Sequence, residues 1–262
     1  MTLSVTSSRD AGGNGSDRIG RLRQSGSLKC MFPRRDGAGL EAVLVNTAGG
    51  ITGGDRFEIA AHVDAGAGLT LTSQTAERAY AAPPGETGRV ETRLDVGPGG
   101  RLGWIPQETI LFDHSALSRR LIVTLAPGAT ALVAEPVIFG RAAMGEEVRF
   151  GRFDDRIEIR RDGRPLYRDA MRLNGDTAAR LDRPHAGGGA RALVSLVYVA
   201  PDAEAQLAAV RSALPPTGGA SLIGDDVLAL RLLATDGFEL RRVLIPILTR
   251  LTGGDLPKCW MI

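Results

Sequence analysis

The ten residues Asn46-Thr47-Ala48-Gly49-Gly50-Ile51-Thr52-Gly53-Gly54-Asp55 lie between two runs that read as strands. Ala42-Val43-Leu44-Val45 precedes them, and Phe57-Glu58-Ile59-Ala60-Ala61-His62-Val63 follows. Paired glycines open positive φ and close backbone approach, at about 0.5–1 kcal/mol each relative to alanine in regular structure. A phosphate-cradling loop would end in Gly-Lys-Ser or Gly-Lys-Thr, and this one ends in Gly-Asp. A dinucleotide-binding loop would open a helix, whereas period-2 alternation follows here. The stretch therefore predicts a strand–turn–strand passage in a β-rich chain.

Strand signals spread outward from it. Phe57, Ile59, Ala61 and Val63 alternate with Glu58, Ala60, His62 and Asp64, the pattern of a half-buried strand. Val90, Thr92, Leu94 and Val96 alternate in the same way with charged neighbours. Arg156 to Tyr167 predicts a hairpin turning at Asp162-Gly163. Leu28 to Pro33 reads as the first strand, after a basic run that begins at Arg18. Residues 1–17 are rich in Ser, Gly and Asp without periodicity and read as a disordered leader to one β-rich domain over 18–262.

A degenerate repeat runs through the middle of the chain. Three glycine-bearing turns each lead into an apolar strand closed by a polar residue: Gln74, Gln107 and Glu135. The intervals are 33 and 28 residues, which suggests stacked β units, solenoid-like or sandwich-like. Two helices are expected, over 201–214 and 239–251. The second carries Leu240, Val243, Leu244, Ile247, Leu248 and Leu251 on one stripe, a kink at Pro246 and a stop at Gly253-Gly254.

Composition excludes several classes of function. A net charge of +2 with 5% aromatic residues gives no footprint for nucleic acid. No stretch approaches the roughly 20 apolar residues of a membrane span, and no secretion signal is evident. Cys30 and Cys259 then read as reduced thiols of a cytoplasmic protein. No Gly-x-Ser-x-Gly elbow supports a hydrolase.

Ordered motifs along the chain resemble the UreD (UreH) family of urease accessory proteins. They begin with the glycine-rich stretch and continue through Thr72-Ser73-Gln74-Thr75-Ala76-Glu77-Arg78-Ala79-Tyr80. Pro106-Gln107-Glu108-Thr109-Ile110-Leu111-Phe112-Asp113 is the most specific segment, followed by Phe139-Gly140-Arg141, Arg161 to Arg164 and Asp169 to Leu173. Arg241 to Leu248 and Leu256-Pro257-Lys258-Cys259-Trp260 complete the match. The resemblance implies a mostly β, non-enzymatic scaffold that helps to install nickel in apo-urease. It implies action with UreF-like and UreG-like proteins and the urease structural subunits, with a water-filled passage as the metal's route. Two positions depart from the family pattern. His114 stands where glycine is usual, and Lys258-Cys259 where arginine-valine is common, so neither His114 nor Cys259 inherits a role.

Nickel(II) handed on rather than kept suits a weak, oxygen-rich environment, and three scattered histidines do not make a tight site. The candidates for a passage or a partner contact are Asp55, Gln74, Glu77, Gln107, Glu108, Asp113 and Glu135. Asp55 and Glu108 are the candidates for transient nickel contact, and no tightly bound cofactor is expected. Stacking the repeat would put Gln74, Gln107 and Glu135 in one polar file. Each has an ordinary reading too: Asp55 accepting N–H groups of its own turn, and the file being buried polar groups satisfied by backbone. A repetitive β module binding carbohydrate or protein, with no metal role, is the alternative function. A hydrolase or transferase using Asp55 and Glu108 as a carboxylate pair comes third.

Overall fold

Period-2 alternation becomes a stack of parallel strands in a computed structural model, which describes residues 1–9, 17–34 and 39–261. The chain passes through β1 (Thr2–Arg9), β2 (Asp17–Ser25), β3 (Leu28–Met31), β4 (Leu40–Asn46), β5 (Arg56–Val63) and β6 (Gly68–Ser73). It continues with β7 (Glu77–Ala79), β8 (Gly88–Val96), β9 (Arg101–Trp104), β10 (Thr109–Leu111), β11 (Ala116–Leu125) and β12 (Thr130–Phe139). Then come β13 (Gly151–Arg161), β14 (Arg164–Gly175), α1 (Thr177–Leu181), β15 (Ala192–Val199) and α2 (Ala203–Ala213). Strands β16 (Gly218–Ile223) and β17 (Val227–Ala234) precede α3 (Gly237–Leu251).

One sheet has the order β14-β13-β11-β8-β5-β1-β2, the other β16-β17-β15-β12-β9-β6-β4-β3. From β4 to β13 the chain crosses back and forth between them. Successive visits to each sheet pair in parallel, as in β5–β8–β11–β13 and β4–β6–β9–β12. A third, short parallel ladder joins Ile51, β7, β10 and the end of β12. This is a β-solenoid whose turns each complete the core of the next. Antiparallel hairpins flank the stack, including β13–β14, where Asp162 and Gly163 both take positive φ as a two-residue primed turn requires.

Two cores result. Leu3, Phe57, Leu71, Leu94, Val123 and Ile159 fill the space between the sheets. Val194, Leu230, Leu240, Leu244 and Trp260 fill a second layer, where α2 and α3 cover the outer face of the second sheet. Strands β12 and β15 are covered on both faces, so they read as continuous apolar runs instead of alternating ones. Each fully buried leucine contributes about 1.5–3 kcal/mol.

The N-terminus corrects the expectation of a leader. Thr2–Arg9 is a strand parallel to β5, with Leu3, Val5 and Ser7 turned into the core. Only two of its inward residues are apolar and its outward ones are Thr and Ser, so composition hid the alternation. Residues 10–16, also read as leader, lie outside the described residues. Leu28–Met31 is consequently the third strand, not the first. The expected helices are α2 and α3, and α3 runs unbroken through Pro246 before ending at the left-handed Gly253 and Gly254. The short α1, capped by the Asp176 carboxylate on Ala179 N–H, gave no periodic signal. No helix among the described residues is long and apolar enough to cross a membrane.

Candidate functional site: a cavity between the sheets

The glycine-rich stretch fixes one wall of the interior. Gly54 takes φ 83°, a left-handed value that side chains resist. A Cβ at Gly50 would stand 2.3 Å from the Tyr80 ring and 2.7 Å from the Arg78 carbonyl, so only glycine fits there. Asp55 Oδ2 accepts the Thr52 N–H at 2.9 Å, closing its own turn. Asn46, at the start of the stretch, donates through Nδ2 to Gly50 O (3.0 Å) and to Glu77 Oε2 (3.1 Å). The loop thereby orients Glu77.

Glu77 lines a cavity of about 140 Å³ between the two sheets, with Gln74, Trp104, Gln107, Glu135 and Asp155 among its walls. That is room for several waters. The centre of its charge is Arg119, on β11. Its Nε and Nη2 donate to Asp155 on β13 at 3.1 and 2.6 Å, and its Nη1 lies 2.7 Å from Glu135 Oε2 on β12. The same Nη1 donates to Thr109 Oγ1 at 3.0 Å, and the guanidinium sits 5.2 Å from the Phe153 ring centroid. Trp104 Nε1–H donates to Glu135 Oε1 at 2.5 Å. Arg119 and Asp155 are register partners in the first sheet, while Trp104 and Glu135 belong to the second. The network thus bridges the sheets.

One guanidinium between two carboxylates leaves one excess negative charge when all three are ionised. Burial pushes the Glu135 carboxyl up; Arg119 opposes that shift and Asp155 adds to it. Burial likewise pushes Glu77 up, against the Arg78 N–H and the Asn46 amide. A carboxyl whose folded pKa exceeds its unfolded one favours folding most at low pH. That contribution is lost as pH rises from the unfolded carboxylate range through the folded pKa. Glu135→Gln is therefore expected to gain stability relative to wild type as pH is raised from 4.5 to 7.5. Urea unfolding at a series of pH values checks this; a gap that widens the other way would mean that ionised Glu135 is the stabilising form.

Of the residues expected from sequence, the structure brings Gln74, Glu77, Gln107 and Glu135 to the cavity wall and separates the other three. Gln74 and Gln107 each stand three residues after the register pair Leu71 and Trp104. Trp104 pairs with Val133, so Glu135 falls one residue short of a strict file. Gln107 Nε2 donates to Gln74 O at 3.1 Å and to Cys259 O at 2.7 Å. Glu108 is buried and paired at 3.2 Å with Arg241, which also donates to Trp260 O. Asp113 Oδ1 accepts the N–H groups of Arg149 and Phe150 at 2.8 Å each, pinning a surface loop. Among the described residues no group of three or more His, Cys, Asp and Glu is placed to hold a metal ion.

His114 takes φ 60°, in the left-handed region that favours glycine. The left-handed conformation costs a non-glycine residue about 1–2 kcal/mol. His114→Gly should raise stability by about 1 kcal/mol, less whatever the His114–Phe150 ring stack contributes. Thermal unfolding checks it, and a lowered midpoint would show that the stack outweighs the strain.

Arg119, Asp155 and Trp104 were not singled out from the sequence. A signal existed: Arg119 interrupts the inward series Leu117, Leu121, Val123 and Leu125, and Asp155 interrupts Phe153, Ile157 and Ile159. A charge at an inward position of a regular strand marks a buried polar network.

A family model described as UreD urease accessory protein matches residues 2–261. A protein of Ruegeria pomeroyi named urease accessory protein UreD is 54% identical over 93% of this chain and 95% of its own length. One of Roseobacter denitrificans with the same name is 51% identical over 98% and 93%. One of Rhizobium etli, also so named, is 45% identical over 94% and 90%.

Proposed function

This chain belongs to the UreD family of urease accessory proteins, and on that premise we propose that it is a non-catalytic scaffold through which nickel reaches apo-urease. In this reading it works in the cytoplasm with UreF-like and UreG-like proteins and the urease structural subunits, and nickel is its cargo. The observation that carries the reading is the cavity, with the Glu77 and Glu135 carboxylates and the Gln74 and Gln107 amides in its wall. Carboxylate and amide oxygens attract a hydrated divalent cation without the depth of a thiolate or imidazole site. Arg119 divides its charge between two carboxylates and keeps the attraction weak, which suits a metal that must be released.

Deleting the gene and measuring urease activity and nickel content tests the proposal. Inactive, nickel-poor urease, restored by the gene in trans, is the expected outcome. Fully active urease with normal nickel would overturn it and favour a β binding module without a metal role.

A further inference from the structure

The outer face of the first sheet carries more positive charge than its own carboxylates neutralise. Most arginines there are paired: Arg93 with Glu91, Arg152 and Arg172 with Asp154, and Arg160 and Arg168 with Glu158. Arg56, Arg89, Arg120 and Arg156 are exposed on the same face, with no carboxylate of the described residues within ion-pair distance. Arg56 is the register partner of Arg89, and Arg120 that of Arg156, while Glu91, across from Arg120 on β8, is already held by Arg93. Neighbouring strands lie about 4.8 Å apart, so these are stacked like charges, an arrangement that destabilises a sheet. Strand β2 extends the field, because Arg21 and Arg23 lie opposite the outward Thr6 and Ser4 of β1. Between them and β8 the outward row of β1 is small (Thr2, Ser4 and Thr6), and that of β5 carries Glu58, Ala60 and His62.

We infer that this face docks the acidic surface of a protein partner. The inference rests on the scaffold reading above and says which surface that scaffold uses. A cationic excess beside the short side chains of β1 is complementary to projecting carboxylates, and docking would relieve both stacked arginine pairs. Glu58 and Asp95 stand on the same face and would repel a continuous polyphosphate or an anionic bilayer, so the mixed pattern favours a protein.

The test compares wild type with two full-chain variants, in which Arg56, Arg89, Arg120 and Arg156 are all changed to glutamine or all to lysine. Purified urease apoprotein and the UreF-like and UreG-like proteins of the same organism serve as separate probes, titrated from 50 to 300 mM salt. Duplex DNA and phosphatidylserine vesicles are the other probes. The glutamine variant should bind at least one of the protein probes about tenfold or more weakly, with a flatter salt dependence. Lysine should retain binding within about threefold, and the glutamine variant should unfold at no lower temperature than wild type. Wild-type binding to the protein probes that glutamine leaves unchanged would overturn the inference. So would charge-dependent binding to DNA or vesicles alone. A wild type that binds none of the protein probes would instead overturn the scaffold reading on which the inference stands.

Discussion

Arg119→Met is expected to destabilise the fold by about 3–5 kcal/mol, the cost of leaving a buried charge without its partner. The guanidinium is the cation between Asp155 and Glu135, all three side chains being about nine-tenths buried. Methionine fills a similar volume but leaves two carboxylates facing each other across the cavity. At about 2–4 °C per kcal/mol for a chain of this size, the thermal midpoint should fall by roughly 10 °C. Adding Glu135→Gln to the same chain removes one orphaned charge and should recover part of the loss. A double-mutant cycle in urea gives the coupling directly. A loss below about 1 kcal/mol from Arg119→Met alone would mean that water already solvates the network.

Trp260→Ala is expected to cost about 3–5 kcal/mol, as truncation of a buried aromatic does. Trp260 is fully buried in the layer beneath α3, and its indole N–H donates to Ile105 O at 2.9 Å. The Arg241 guanidinium lies 5.1 Å from its ring centroid and holds its carbonyl. Removing the ring opens a void and leaves the Ile105 carbonyl with the Thr72 hydroxyl alone. Loosening of the terminal turn would weaken the bond from Gln107 to the Cys259 carbonyl, one of several that hold Gln107 at the cavity wall. Urea unfolding checks the energy, and a midpoint close to that of wild type would show that the terminal turn is not part of the core.

How far the sequence revealed this architecture depended on each strand's surroundings. Residues 57–63 and 90–96 alternate cleanly because one face meets the core and the other meets water. The interval of about 30 residues made stacking legible because each turn of a solenoid repeats the demands of the last. Strand β1 escaped because its core face ends in Ser7, whose hydroxyl is satisfied by the Gly68 carbonyl. The cavity was half legible. Gln74 and Gln107 follow strands and Glu77 opens one, where polar residues draw notice, and Glu135 reads as the polar end of an apolar run although β12 continues past it. Arg119 and Asp155 sit within strands, and their meeting with Thr109 and Glu135 depends on how four separate strands stack. The glutamate comes one residue early in its unit, so Glu135 meets the Trp104 indole instead of lining up with Gln107. Asp55 drew notice because it closes the glycine-rich stretch, and its carboxylate is spent on that stretch's own backbone.

Nickel transfer in a reconstituted system, with purified apo-urease, the UreF-like and UreG-like proteins and this chain, tests the central claim most directly. The variant to compare carries Glu77→Gln and Glu135→Gln, which keep side-chain shape and remove two of the three carboxylates in the cavity wall. With complex formation verified by size-exclusion chromatography, nickel bound per urease at a fixed early time should fall about tenfold, an added barrier of roughly 1.4 kcal/mol. Equal nickel content from variant and wild type, with the complex intact, would contradict a route through this cavity.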